Sequence, residues 1–175
     1  MAELERTRLR ERERPEQNVY EHVLQRSGER AERNAMGRVV CRVGDCPQML
    51  TRQGRLRYFL GPTIQDTPLQ DWIVFTHEIR TVSGKHRHQG GLIIYVLDGK
   101  GHSVVDGERW DWEKGDLVLL PLREQGVEHQ HFNDDPAKPA LWIAFIHEPT
   151  WEFFASEMTQ TEVSPEYQKA MQGGG

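Results

Sequence analysis

The chain has 175 residues, a net charge of −5 at neutral pH, a pI near 5.9 and a mean hydropathy of −0.71. That size suits one domain with appendages, and the acidic balance excludes a basic footprint for nucleic acid or an anionic membrane. No run of ~20 apolar residues marks a membrane span, and the Met-Ala-Glu-Leu-Glu-Arg start has no apolar signal core. Two cysteines, Cys41 and Cys46, are too few for a disulfide framework, so reduced thiols and a cytoplasmic location are expected.

Taken in order, residues 1–14 interleave arginine and glutamate and read as a solvated helix or a frayed tail. Pro15 can open a helix, on which Val19, Tyr20, Val23 and Leu24 share one face, with Ser27-Gly28 as a stop and a second polar helix over Glu29–Met36. From Val39 the texture becomes that of strands. Val39, Val40 and Val43 suggest the first and Arg55–Leu60 the second. The segment 62–69 reads as a loop, and Trp72–Ile79, rich in β-branched and aromatic residues, as a third strand. Further strands are expected at the histidines after Gly84, over Leu92–Leu97, His102–Val105, Glu108–Trp112 and Leu117–Leu120, around His129, and over Leu141–Ile146. Asp98-Gly99 and Asp106-Gly107 are hairpin signals. Leu92–Leu97 is apolar on both faces, which predicts that a second sheet, a helix or another subunit covers its outer side. Trp151–Met158 reads as helical. Short strands spaced by turns predict an all-β sandwich or barrel over 39–147, with a charged helical arm over 1–38 and a C-terminal helix and tail over 148–175.

Two stretches carry chemistry. In Gly84-Lys85-His86-Arg87-His88 the imidazoles sit two residues apart, and His129-Gln130-His131 repeats that spacing. On a strand such pairs project to one face. If the two strands face each other inside a barrel, imidazoles converge, and neutral imidazole suits iron, copper, zinc or nickel. A structural histidine on either strand is the plain alternative.

The order Gly84, His86-x-His88, Gly99, Gly115-Asp116, Pro121, His129 and Asn133 resembles the two motifs of the cupin superfamily, over residues ~70–147. The resemblance implies a double-stranded β-helix, or jelly roll, with a metal held by His86, His88 and His129. It also implies that His131 is a neighbour, since only His129 is followed four residues later by asparagine. Where the usual motif has a glutamate, this chain has Leu92. A site of three neutral histidines is similar to those of gentisate-type ring-cleaving, β-diketone-cleaving and thiol dioxygenases, with the flanking segments most like the gentisate group. That group usually has two cupin halves, and this chain has one.

The function expected from this is a metal-dependent dioxygenase acting on a small chelating acid, hydroxylated aromatic or enolic, with dioxygen as co-substrate. Iron(II) is the first choice of metal, with zinc, nickel, manganese or copper as alternatives. An oxygen-independent metal cupin (isomerase, decarboxylase or hydratase) and a non-catalytic binding cupin are the rival readings. His102 is the candidate acid–base group, and Arg57, His131 and Trp142 are candidates for holding substrate, Arg57 through a bidentate carboxylate contact. For Arg57 the competing reading is a solvated arginine, and for His102 a hydrogen-bonded structural histidine. A homodimer through the outer face of the doubly apolar strand is expected.

Overall fold

The computed structural model describes residues 18–173. The charged stretch 1–14 and the helix opening at Pro15 fall outside them. The chain divides into two compact units, one running up to Val39 and including Asp66–Pro68, the other comprising Val40–Gln65 and everything from Leu69 on.

In the first unit, helix α1 runs unbroken over Val19–Met36. Asn18 caps it, its side chain accepting from the Tyr20 N–H at 3.1 Å. The stop expected at Gly28 is absent. A glycine inside an exposed helix costs only ~1 kcal/mol relative to alanine, which the surrounding turns outweigh. The helix ends at Gly37, after which the Arg38 N–H donates to Asp66 O at 2.7 Å and the Arg38 guanidinium pairs with the Asp66 carboxylate.

The second unit is built of eleven antiparallel strands in two sheets. They are β1 (Gln48–Thr51), β2 (Gly54–Leu60), β3 (Trp72–Ile79), β4 (Lys85–His88), β5 (Leu92–Asp98), β6 (Lys100–Val105), β7 (Glu108–Glu113), β8 (Leu117–Leu120), β9 (Val127–Asn133), β10 (Ala140–His147) and β11 (Thr159–Glu162). One sheet has the order β1-β2-β3-β10-β5-β8, the other β11-β4-β9-β6-β7. Helices α2 (Glu148–Phe153) and α3 (Pro165–Gln172) follow the last long strand. Side chains alternate as a two-layer packing requires: Leu92, Ile94 and Val96 of β5 are buried, and Ile93 and Tyr95 between them are exposed. The core joins these to Ile79, Trp112, Leu120, Val127, Trp142 and Ala144.

Two expectations need correction. The valines at 39, 40 and 43 form no strand; they are exposed, and Val43–Asp45 is a single 3-10 turn. The helix expected over Trp151–Met158 is instead the shorter α2, which ends at Phe153, with Ala155 left-handed at φ +47° just beyond it. Among the described residues no helix is long and apolar enough to cross a membrane.

Candidate metal centre

Strands β4 and β9 lie side by side, and their register places His86 directly opposite His129. Strand alternation then turns His86, His88, His129 and His131 to the interior, while Arg87 between the first two is exposed. The ring centroids are 4.2 Å apart for His86–His129, 4.8 Å for His88–His129 and 5.3 Å for His86–His88. One ring nitrogen from each of these three lies within 4.8 Å of the others, so a single ion can be reached by all three.

Each ring is oriented from behind. His129 Nδ1 lies 3.1 Å from Val127 O, which fixes the proton on that nitrogen. Its Nε2 is buried with no hydrogen-bond partner, the condition expected of a lone pair awaiting a ligand. The Gly90 N–H donates to His88 Nδ1 at 2.9 Å. Gly90 has φ +88°, and a Cβ there would lie 1.9 Å from Pro121 O, so only glycine allows this turn. The side-chain amide of Gln53 lies 2.7 Å from His86 Nδ1 and donates to Gln160 Oε1 at 2.8 Å. Gln53 sits in the β1–β2 turn and Gln160 on β11, so both sheets hold His86 in place. Sequence reasoning missed Gln53, because a polar residue at a hairpin tip 33 positions away carries no local mark of its partner.

Burial desolvates the site and favours the neutral imidazoles. Desolvation pushes His86 down to about 2, His88 to about 3 and His129 to about 4, with neighbouring imidazoles adding to the fall for His86 and His88. Buried His77 falls to about 3, and His131 also lies well below its ordinary value, both chiefly from burial. His131 is tied off behind the cluster. Trp112 Nε1 donates to Ser103 Oγ at 2.9 Å, and that hydroxyl lies 2.7 Å from His131 Nδ1. Neutral imidazoles with a stranded lone pair fit a divalent transition metal.

The histidines open onto a cavity of about 730 Å³. His77, His131 and Trp142 line it, with Leu56, Tyr58, Phe75, Leu92, Ile146 and Trp151. Trp151 of α2 packs against His88 at 4.9 Å.

Two candidates lie elsewhere. Arg57 is on the opposite face of β2 from Leu56 and Tyr58, and its guanidinium donates to Val43 O at 2.7 Å and to Cys46 O. The alternation Arg55-Leu56-Arg57-Tyr58 already carried that signal. His102 is on the outer face of β6, between the inward Gly101 and Ser103. It stacks on Phe132 at 4.6 Å and lies 2.8 Å from Asp134 Oδ1. Neither can touch a ligand in the cavity. Asn133 is a loop anchor, its amide donating to Arg80 O, Asp135 O and Lys138 O.

With this geometry established, residues 74–146, which include all three converging histidines, match the family model described as the cupin domain. The chain carries a cupin domain. Its cupin segment is similar to an acireductone dioxygenase of Phaeosphaeria nodorum, 30% identical over 107 residues that cover 57% of this chain and 59% of that protein. It is also similar to a gentisate 1,2-dioxygenase of a Ralstonia species, 32% identical over 65 residues, 37% of this chain and 17% of that one. The chain thus spans less than two thirds of either relative. Among solved structures, the cupin superposes on salicylate 1,2-dioxygenase from Pseudoaminobacter salicylatoxidans with a TM-score of 0.52 at 18% identity, covering 66% of this chain and 31% of that one. That likeness is one of fold.

Proposed function

We propose that this cupin is a metal-dependent dioxygenase that acts on a small chelating compound, hydroxylated aromatic or enolic, with His86, His88 and His129 as the protein's metal ligands. The observation that carries the reading is the convergence of three buried, neutral imidazoles at the base of an apolar cavity, one of them with an unpartnered Nε2. The names of its relatives, acireductone and gentisate dioxygenases, support the same class of chemistry. Iron(II) is the proposed metal; zinc, nickel, manganese and copper are also compatible with three imidazoles. When bound, such an ion supplies a Lewis-acidic centre with positions open to a chelating substrate and to dioxygen.

The chain's own residues do the rest. Val127 O and the Gln53 amide orient His129 and His86, contacts of a kind that typically change metal affinity by ~10–100-fold, and the Gly90 N–H fixes the plane of His88. Leu92 stands where a carboxylate would otherwise be, so the chain itself offers three neutral imidazoles and no anionic ligand, an arrangement that would favour an anionic chelating substrate. Trp151, Leu92 and Phe75 give the ligand an apolar surround within the cavity. Tyr58, whose phenol burial holds protonated, can donate to a substrate oxygen.

Oxygen uptake by iron-reconstituted protein, screened against dihydroxyaromatic and dicarbonyl compounds, tests this. Uptake with at least one compound, absent from His129→Ala, is expected. No uptake with any of them, or turnover that persists under strict anaerobiosis, would replace dioxygenase chemistry with an oxygen-independent reaction.

We also propose a homodimer through the outer face of β5 and β8. Ile93 stands opposite Leu119 and Tyr95 opposite Leu117, and these four side chains are 40–64% exposed, an apolar row of the kind that marks association surfaces. Light scattering of the eluted protein should give twice the chain mass; a monomer would sink it.

A further inference from the structure

We propose that the cavity selects chelating ligands whose arm is apolar and uncharged, and rejects those with a carboxylate beyond the chelating end. This rests on the metal-centre reading above and narrows its substrate class.

The argument is one of charge placement. No lysine or arginine lines the cavity among the described residues. The strands around it do carry cations, but each is directed elsewhere. Arg55 pairs with Glu166 at 3.0 Å, Arg57 is spent on the carbonyls of Val43 and Cys46, Lys85 pairs with Glu162 at 2.6 Å, and Arg87 is exposed on the outer face of β4. Among the described residues the charged ones in the lining are Glu148 and Glu152, both on α2. A carboxylate on the ligand's arm would be stripped of water against Phe75, Ile73 and Leu56, with no counter-charge in the lining. An apolar arm meets the opposite situation, since the wall is largely aliphatic and aromatic and the volume of about 730 Å³ accommodates a ring with a substituent. Neutral oxygens can still be met by Tyr58 and Thr63, which also face it.

The test uses two chelators that differ in one group, 1-phenylbutane-1,3-dione and 1-(4-carboxyphenyl)butane-1,3-dione, in which a carboxylate is added to the ring at the end remote from the diketone. Each is titrated anaerobically into metal-loaded and metal-free protein and followed by calorimetry and tryptophan fluorescence. The uncharged diketone should bind at least ~10-fold more tightly in both forms, because the discrimination comes from the wall. Met49→Lys places a cation on the half-exposed part of the lining and should strengthen binding of the carboxylated diketone ~10-fold while leaving the uncharged one unchanged. Glu148→Gln with Glu152→Gln should shift the ratio in the same direction by a smaller factor. Equal or tighter binding of the carboxylated diketone by the unaltered protein overturns the proposal, as does failure of both compounds to bind. Metal content measured on the same samples separates the two claims: protein that takes up no metal fails the metal-centre reading, while the preference in the metal-free form is still decided.

Discussion

Two groups of metal-capable side chains stand on opposite faces of the β11-β4-β9-β6-β7 sheet, and only one has the properties of a centre. His86, His88 and His129 face inward; His102, Asp111 and Asp134 face outward, and in each group the ligand atoms lie within 4.8 Å of one another. By that distance alone the groups are equivalent. The outer group is already satisfied from within the chain: Arg109 reaches Asp111 at 2.8 Å and Asp134 at 3.0 Å, and lies 3.4 Å from His102. The inner group has no internal cation, its rings are desolvated, and His129 Nε2 has no partner. Convergent donors are common. What marks a site is donors left without a partner, and burial is what makes that state costly enough to be informative.

The largest effect that sharpens this contrast is acid sensitivity. His77, His86, His88, His129 and His131 all have folded-state values below the ordinary 6.5. Above that value both folded and unfolded chains keep them neutral, and there is no penalty. As pH falls below it the unfolded chain takes up protons that the folded chain refuses. Stability is therefore lost from pH 6.5 downward, by up to ~1.4 kcal/mol per pH unit for each histidine, until the folded values of about 4 to 2 are reached. Metal-free protein should lose most of its stability between pH 6.5 and 5, and bound metal should extend the stable range downward. A melting temperature flat across that interval would mean that the rings are not held neutral.

Next in size is Gly90→Ala. It forces a left-handed φ on a residue with a Cβ and drives that atom into Pro121 O. A loss of roughly 3–5 kcal/mol is expected, read by chemical denaturation. A loss below ~1 kcal/mol would show that the turn behind His88 is adaptable. Gln53→Leu removes the contact that orients His86 and should weaken metal binding ~10–100-fold with little change in fold, read by competition with a chelator; unchanged affinity would make Gln53 a packing residue only. The smallest effect is expected on the outer face. His102→Gln breaks a stacked, exposed pairing worth ~0.5–1 kcal/mol and should leave metal content unaltered, whereas loss of metal there would erase the distinction between the two groups.

Much of this was legible in the chain itself, and the failures share a cause. Trp72–Ile79, Leu92–Leu97 and Leu141–Ile146 announce themselves by length and composition, and the structure places strands there. The paired H-x-H spacings bring their imidazoles to one face because alternation is a local rule. What was not legible depends on partners distant in sequence. Thr159–Glu162 is polar and without periodicity, yet it is a strand because the edge of β4 offers it hydrogen bonds. Gln53 and Gln160 reach His86 only after two sheets have closed. The acid–base chemistry of His102 says nothing of its direction, and its small neighbours Gly101 and Ser103 are the residues that turn inward. The charge of Arg57 suits a carboxylate, yet the alternation Arg55-Leu56-Arg57-Tyr58 places it outside. At both positions the parity of the strand decides, not the chemistry of the side chain.

The most direct test of the central claim is the metal content of protein purified and then reconstituted with iron(II), for the unaltered chain, His129→Ala and Asp134→Ala. About one ion per chain in the unaltered protein and in Asp134→Ala, with near-complete loss in His129→Ala, is the result this account predicts. Metal retained by His129→Ala, or lost on Asp134→Ala, would place the centre on the outer face of the sheet and contradict it.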